Sequence, residues 1–228
     1  MAIRENLERV QERIANAAHR AARDASEITL VAVSKTKPAA LIREAVSAGV
    51  KVLGENRIQE VDKKIPELED LQAEWHMVGH LQTNKAKKAV QLFDLIHSVD
   101  SPRLVEALDK AADKEEKRLP ILLQVNIAGE EQKYGTSTEE FDSLVNAALA
   151  ASFLDVRGLM VMPPFSDDPE DSRPYFRALR ALAESHRERL SPDGRRIELS
   201  MGMTGDFEVA IEEGATMVRI GTAIFGAR

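Results

Sequence analysis

Hydrophobic positions follow two different spacings along this chain. Near the N-terminus, apolar residues recur every three or four positions, which predicts a long amphipathic helix. Its buried face would comprise Ile3, Leu7, Val10, Ile14, Ala18 and Ala21. Beyond this helix, short continuous apolar runs alternate with segments of helical spacing. We interpret the apolar runs as eight strands, at 29–34, 50–53, 74–78, 92–97, 120–127, 154–161, 196–200 and 216–220.

Eight strand–helix units predict a parallel sheet, because crossover helices join parallel strands. Strand cores such as Ile121-Leu122-Leu123 are apolar throughout, which is typical of strands covered by helices. An α/β fold with one closed (β/α)8 barrel of the TIM type, preceded by the extra N-terminal helix, fits best. The alternative is an open doubly wound sheet, which is disfavoured because no G-x-G-x-x-G turn occurs. We expect a single domain over residues 1–228.

Composition narrows the possible functions. The 228 residues are 43% hydrophobic and 30% charged, as in ordinary globular proteins, and the net charge of −7 disfavours nucleic-acid binding. The absence of cysteine excludes disulfides and thiolate catalysis, and the five histidines lack metal-ligand spacing, so we expect no metal. No apolar run approaches the roughly 20 residues of a membrane span, and no secretory signal is evident. We therefore expect a cytoplasmic protein that does not bind membranes.

A lysine at the end of the first predicted strand is the most informative feature of the chain. In a barrel of this type, the active face lies at the carboxyl ends of the strands, where Lys35 is expected. A neutral lysine amine on a rigid strand end can capture a carbonyl group as a Schiff base. Taken alone, Lys35 could equally be a solvent-facing loop residue. Lys37 is the rival amine, but it precedes Pro38 at a predicted helix start and should face the rim.

An arginine inside the last predicted strand provides a second polar group. Side chains alternate along a strand, so Arg219 and Gly221 share one face. If that face is the barrel interior, the buried guanidinium needs an acceptor. The acceptor could be a ring nitrogen of a ligand, or it could be the carboxylate of Glu55 or Glu198.

Small residues at the last two strand exits suggest a phosphate site. Gly221 and Thr222 would offer backbone N–H groups and a hydroxyl, and Ser200 and Thr204 lie on the neighbouring exit. Tight turns are the alternative explanation for these residues. Combined with Lys35, a phosphate site indicates a phosphorylated aldehyde, and pyridoxal 5'-phosphate (PLP) is the obvious candidate. His80, on an exit close to Lys35, would either lie beside the bound ring or cap a loop.

Seven motifs carry a resemblance to a known family. They are Val33-Ser34-Lys35-Thr36-Lys37-Pro38, Gly54-Glu55-Asn56, Gly79-His80-Leu81-Gln82-Thr83-Asn84-Lys85, Gly158-Leu159-Met160, Leu199-Ser200-Met201-Gly202-Met203, Val218-Arg219-Ile220-Gly221-Thr222 and Phe225-Gly226. In combination, these motifs resemble the pyridoxal phosphate homeostasis proteins over nearly the whole chain. The resemblance implies a fold similar to the barrel domain of alanine racemase, and PLP binding without an established catalytic activity.

The resemblance also implies roles for individual residues. It implies a Schiff base at Lys35, phosphate contacts from Ser200 and the Gly221-Thr222 turn, and Arg219 near the pyridine nitrogen. Relatives usually carry Ser where this chain has Thr204, which keeps the hydroxyl. The complete predicted cofactor site comprises Lys35, Asn56, His80, Met160, Ser200, Met203, Arg219, Gly221 and Thr222, with no catalytic residue.

Three functions remain open at this stage. The first is a PLP carrier in intracellular PLP and amino-acid homeostasis, acting without turnover, with apo PLP-dependent enzymes as possible recipients. The second is a PLP-dependent racemase or decarboxylase, which needs a second base; only Tyr134 and Tyr175 are available as tyrosines, and neither is expected at a strand exit. The third is a cofactor-free Schiff-base aldolase. We expect a monomer, with a weak dimer as the alternative.

Overall fold

Eight parallel strands close into a barrel in chain order, with the first strand paired to the last. The computed structural model describes residues 2–130 and 132–226. This architecture confirms the predicted (β/α)8 barrel. The strands are β1 (Thr29–Val33), β2 (Val52–Glu55), β3 (Glu74–Met77), β4 (Leu95–Val99), β5 (Leu119–Val125), β6 (Leu154–Val161), β7 (Glu198–Met203) and β8 (Met217–Ile220).

Helices cover the outside of the barrel. None of those that the structure describes has the length and apolar character needed to cross a membrane. The helices are α1 (Ile3–Arg20), α2 (Ala39–Ser47), α3 (Ile58–Leu68), α4 (Ala86–Leu92), α5 (Pro102–Lys114), α6 (Phe141–Ala150), α7 (Arg173–Ser185), α8 (Arg187–Leu190), α9 (Phe207–Glu212) and α10 (Thr222–Phe225).

The predicted N-terminal helix is confirmed as α1, which buries its apolar stripe against the barrel's outer layer. Its buried residues are Ile3, Leu7, Val10, Ile14, Ala17 and Ala18. Polar contacts join α1 to the last elements of the chain. The Asn6 side chain donates to the Ile224 carbonyl at 2.9 Å, and Arg13 pairs with Glu208 at 2.8 Å. The extra helix therefore fastens the beginning of the described chain to its end.

Alternation along the strands divides the apolar core into two layers. Residues such as Ala32, Leu53 and Ile96 face the helices and belong to the large outer core. Their strand neighbours face inward and form a smaller cluster that fills the barrel. That inner cluster comprises Val31, Val52, Val78, Leu95, Leu122, Met160 and Met217, with Val33 packed against it. The barrel is thus a packed core, and a ligand can enter only at its ends.

Three predicted strands are displaced from the observed ones. The predicted 50–53 strand is Val52–Glu55 because Gly54 extends the strand while leaving room for its neighbour. A Cβ at Gly54 would lie only 2.8 Å from Val31 Cγ1. The apolar run alone does not reveal this continuation, because glycine reads as a turn signal.

The other two displacements have separate causes. The predicted 92–97 strand is Leu95–Val99, because Leu92 still belongs to α4. The predicted 196–200 strand is Glu198–Met203, and it passes through Gly202 at φ +91°. Only glycine adopts that conformation without strain. Gly202 therefore allows β7 to continue beyond Ser200, where the predicted strand ended.

Candidate cofactor site

Lys35 lies at the carboxyl end of the barrel, two residues after β1. Its side chain is half-buried. The strands on both sides of β1 bring other predicted site residues to this end, because Val33 pairs with Gly54 and Ala32 pairs with Ile220. Asn56 and Gly221 therefore follow the ends of the strands that flank Lys35.

The approach of β8 to β1 is close at Gly221. A Cβ there would lie 3.1 Å from the Val33 carbonyl oxygen. A side chain at this position would press against the strand end that precedes Lys35. The glycine thus keeps the gap between the two strand ends free of side-chain atoms.

Arg219 is buried inside the barrel and is held by neutral acceptors. Its guanidinium donates to Ser200 Oγ and, at 2.9 Å, to the Val161 carbonyl. Burial lowers the pKa of Arg219 to about 10. The side chain consequently still carries its charge at neutral pH, and it can donate hydrogen bonds but not accept them.

The carboxylates that the sequence suggested as partners of Arg219 bond elsewhere, so that alternative was wrong. Glu55 bonds to Ser34 and Lys64. Its neighbour Gly54 packs on the inward-facing Val31, so strand alternation turns Glu55 toward the helices. Glu198 accepts from the Thr216 hydroxyl.

A chain of polar side chains crosses the barrel interior from Arg219. Ser200 Oγ lies 2.8 Å from His97 Nδ1, and His97 Nε2 lies 3.0 Å from His76 Nδ1. His76 Nε2 in turn lies 3.4 Å from a carboxylate oxygen of Glu74, at the opposite end of the barrel. Burial lowers the pKa of His97 well below its usual range, and it also lowers the pKa of His76. This connection was not predicted from the sequence, although alternation along the strands turns each of these side chains toward the barrel interior.

Ser200 is the predicted site residue whose placement differs most from expectation. The sequence placed it at a strand exit with its hydroxyl free for phosphate. The structure places it inside β7, fully buried, with the hydroxyl engaged by Arg219 and His97. The difference arises because β7 continues three residues beyond Ser200, as far as Met203.

Two threonine hydroxyls meet at the exits of β7 and β8. Thr222 Oγ1 and Thr204 Oγ1 are 3.2 Å apart. Thr204, which directly follows β7, was named with the predicted phosphate site but is absent from the complete set of predicted cofactor residues. The Thr204–Thr222 pair provides hydroxyl groups at the exits of β7 and β8, where the sequence predicted a phosphate.

His80 forms part of the rim together with the loop between β5 and α6. Its ring stacks on Tyr134, with centroids 3.7 Å apart and planes tilted by 11°, and its Nδ1 lies 3.7 Å from Asp100 Oδ2. The loop folds back over the barrel because Gln124 Nε2 donates to the Tyr134 carbonyl at 3.0 Å. Tyr134 follows the end of β5 by nine residues, but its loop brings the ring to the rim beside His80. The position of Tyr134 in the sequence gave no sign that the loop between β5 and α6 returns to the rim.

The remaining predicted residues occupy different depths of the site. Met160 is buried in the inner apolar cluster, whereas Met203, at the end of β7, is half-buried. Asn56 Oδ1 is buried and has no hydrogen-bond partner within the described part of the chain, which leaves this acceptor open to a ligand or an ordered water. Lys37 donates from Nζ to the Gly226 carbonyl at 3.0 Å, at the rim.

Metal chemistry finds no support in this geometry. No group of three or more His, Asp or Glu side chains in residues 2–130 and 132–226 is arranged to hold a metal ion. The donors at the barrel mouth are an amine, an amide, hydroxyl groups and a guanidinium. This set is suited to an anionic organic ligand rather than to a cation.

Comparison with known proteins identifies the family. The family model described as the alanine racemase N-terminal domain matches residues 2–228. A protein from Aquifex aeolicus named pyridoxal phosphate homeostasis protein is 46% identical over 98% of this chain and 97% of its own length. A protein of the same name from Escherichia coli is 41% identical over 99% of this chain and 97% of its own. The chain belongs to the pyridoxal phosphate homeostasis protein family. The resemblance inferred from the motifs is thereby confirmed.

Solved structures agree with this assignment. PipY from Synechococcus elongatus, solved with PLP bound, has a TM-score of 0.82 and 39% identity, covering 93% of this chain and all of its own. Alanine racemase from Corynebacterium glutamicum has a TM-score of 0.75 at 16% identity, covering this whole chain and 61% of the racemase. The racemase comparison shows the shared fold alone, whereas PipY is a relative within the family.

Proposed function

We propose that this protein binds PLP at the carboxyl end of its barrel and holds it covalently through Lys35. The observation that carries the proposal is the placement of Lys35 beside the exit of β8, the strand that contains the buried, charged Arg219. The names of the relatives and the PLP bound to PipY support the same ligand.

The donor groups at the barrel mouth suit the parts of PLP. The cofactor would supply an aldehyde, a phosphate and an electron-withdrawing ring. Lys35 would supply the amine for the aldehyde, and the Thr204–Thr222 pair would donate hydroxyl groups to the phosphate. Arg219 would face the ring nitrogen as a donor, and the buried acceptor of Asn56 would face a polar group of the ligand.

Covalent capture at Lys35 would be reversible. The amine adds to the aldehyde carbon, the oxygen leaves as water, and a C=N bond remains. Addition of water, or exchange with the amine of another protein, restores the free Lys35. Reversibility of this kind is what a carrier requires, so we propose storage and delivery of PLP as the role in homeostasis.

Arg219 gives a physical reason to propose little or no turnover. Because its pKa of about 10 keeps it protonated near neutral pH, it donates a hydrogen bond but does not readily give up the proton. A ring nitrogen that faces it therefore stays largely unprotonated, and the ring is a weaker electron sink. Chemistry that depends on a stabilised carbanion would be slow at such a site.

The experiment that tests this proposal combines binding with proton exchange. Apo protein is titrated with PLP while the visible absorption is recorded, and the loaded protein is then incubated with amino acids in D₂O. We expect a yellow 1:1 complex that transfers PLP to an apo PLP-dependent enzyme and exchanges no α-hydrogen above the rate of free PLP. A protein that stays colourless but traps a carbonyl substrate at Lys35 would instead support the aldolase.

The His80–Tyr134 stack favours one second candidate, namely amino-acid α-proton exchange on bound PLP. A tyrosine at the barrel mouth is a group that can move a proton. Exchange in D₂O that is lost in Tyr134→Phe, with PLP binding unchanged, would establish this activity. The recipients of PLP, the cytoplasmic location, the single-domain organisation and the monomeric state stay predictions.

A further inference from the structure

Side chains of α3 fasten the peptide groups on both sides of Lys35. Lys64 Nζ donates to the Ser34 carbonyl at 3.0 Å, and Glu60 accepts from the Thr36 backbone N–H at 2.6 Å. The two α3 side chains also pair with each other, with Lys64 Nζ 3.5 Å from Glu60 Oε2. We call Glu60 and Lys64 the α3 clamp.

These contacts restrict the backbone of Lys35 specifically. Because peptide groups are planar, the Ser34 carbonyl marks the plane before the Lys35 Cα, and the Thr36 N–H marks the plane after it. Fixing both planes fixes both backbone torsions of Lys35. The direction in which its side chain leaves the strand end is then set by α3.

The buried carboxylate of Glu55 holds Lys64 of the α3 clamp in place. Glu55 is fully buried, and one of its carboxylate oxygens accepts from Ser34 Oγ at 2.7 Å and from Lys64 Nζ at 2.6 Å. Burial raises the pKa of Glu55, while its hydrogen bonds to Lys64 and Ser34 act in the opposite direction. Lys64 therefore cannot move away without leaving Glu55 unpaired, which makes it a rigid support.

The turn held by the clamp adopts an uncommon conformation. Thr36 has φ of +63°, in the left-handed region that β-branched residues rarely enter. Such a conformation persists only where surrounding contacts maintain it. The hydrogen bond from Thr36 to Glu60 is a contact of this kind.

We propose that Glu60 and Lys64 are positioning residues that orient Lys35 for carbonyl capture. This inference rests on the proposed Schiff base at Lys35. The clamp contacts only the backbone of the lysine segment, so it acts on the geometry of the amine. Loss of the clamp lets the turn relax and removes the amine from its capture position for most of the time.

The test uses variants that weaken the clamp through either of its two side chains, together with one control outside it. Glu60→Ala removes the acceptor of the Thr36 N–H, whereas Glu60→Gln keeps an oxygen at that position. Lys64→Met is combined with Glu55→Gln, so that no buried carboxylate is left unpaired. Arg43→Met is the matched control, because it breaks the pair between Arg43 and Asp70, near the end of α3, and the hydrogen bonds of Arg43 go to Asp70 and the Glu67 carbonyl rather than to residues 34–36.

Three quantities are measured for each protein: the rate constant of visible adduct formation after mixing with PLP, amide hydrogen exchange of Thr36 without PLP, and the melting temperature. We expect Glu60→Ala and the Glu55→Gln/Lys64→Met protein to capture PLP about tenfold more slowly, the loss that corresponds to a weakened charge-assisted hydrogen bond. Glu60→Gln should recover part of the rate. Exchange at Thr36 should rise in Glu60→Ala and remain at the wild-type value in Arg43→Met.

The possible failures are distinguishable. Clamp variants that lower the melting temperature but capture PLP at the wild-type rate would overturn the positioning role alone, leaving the proposed function intact. A wild-type protein that forms no adduct would overturn both proposals. Unchanged exchange at Thr36 in Glu60→Ala would also contradict the clamp, without any use of PLP.

Discussion

The hydrogen bonds that cross the barrel have a direction, which follows from the chemistry of a single residue. Arg219 can only donate, so Ser200 Oγ accepts from it and gives its own hydrogen to His97 Nδ1. His97 then donates from Nε2 to His76, and His76 donates from Nε2 to Glu74. Both histidines are neutral in this arrangement, in agreement with their lowered pKa values.

Ser200→Ala tests this arrangement. The substitution leaves Arg219 Nη1 and His97 Nδ1 each without a partner in a buried site, while Arg219 Nη2 keeps the Val161 carbonyl, so we expect a loss on the order of 2 kcal/mol or more in the free energy of unfolding. Urea denaturation measures it. Ser98→Ala is the matched control, because Ser98 Oγ is also buried but has no hydrogen-bond partner within the described residues. Equal losses in the two variants would show that the polar chain contributes nothing specific.

The buried histidines also predict a pH dependence of stability. The pKa of His97 is lowered in the folded protein but lies near 6.5 in the unfolded chain. Between these values the unfolded state binds more protons, so stability decreases as the pH falls below about 6.5. For a histidine that stays neutral in the folded state, the free energy of unfolding falls by about 2 kcal/mol between pH 7 and pH 5.

His97→Gln should remove that share of the pH dependence. Urea denaturation at pH 7 and pH 5 gives the two stabilities, and any contribution of Glu55 is common to both proteins and cancels. His19→Gln, which replaces an exposed histidine of α1, serves as the control. A wild-type slope in His97→Gln would mean that His97 accepts a proton in the folded barrel.

Residue type and alternation along a strand sufficed to predict that Lys35 lies at a strand end and that Arg219 faces the barrel interior. Each placement depends on the position of one side chain on one strand. The link from Arg219 through Ser200 to His97 could not be predicted in the same way. It joins β4, β7 and β8, and its formation depends on their stagger across the barrel interior. No sequence spacing records that stagger.

At the level of elements, glycines set how closely neighbouring strands approach. Gly158 on β6 is the tightest case, since a Cβ there would lie 1.9 Å from the Glu198 carbonyl oxygen of β7. A Cβ is fixed in place by its own backbone and the Glu198 oxygen is a backbone atom, so the contact cannot be relieved by rotating a side chain. The two strands would have to separate.

Gly158→Ala should therefore destabilise the barrel by several kcal/mol or prevent folding, in line with severe overpacking. Thermal unfolding and the yield of folded protein report the effect. Gly205→Ala is the control, because no described atom other than those of its chain neighbours lies within 4 Å of the position of its added Cβ. Wild-type stability in Gly158→Ala would show that β6 and β7 pack less closely than described.

Element type was easier to predict than element boundaries. The number and order of strands followed from the repeated alternation of apolar runs with helical segments. The ends of β2 and β7 did not, because each strand continues through a glycine whose role is packing or a left-handed φ, at Gly54 and Gly202. The position of the Tyr134 ring at the rim was not predicted for a different reason, since it depends on the path of a loop that a hydrogen bond from Gln124 holds.

For the whole molecule, closure of the barrel is what assembles the site. Lys35 and Arg219 lie far apart in the sequence, yet the pairing of β1 with β8 places their strands side by side. The fold class predicted this proximity once eight strands had been counted. The support that α3 gives to the Lys35 turn was not predictable, because it requires the docking of α3 against the loop after β1.

Covalent trapping of the bound form tests the proposal that Lys35 holds PLP. The PLP-loaded protein is reduced with borohydride, digested, and mapped by mass spectrometry, with Lys35→Arg and Lys37→Arg as matched variants. We predict that the phosphopyridoxyl group is found on Lys35 in the wild-type and Lys37→Arg proteins and is absent from this peptide in Lys35→Arg. A wild-type adduct on Lys37 or another lysine, with Lys35 unmodified, would contradict the proposed Schiff base at Lys35.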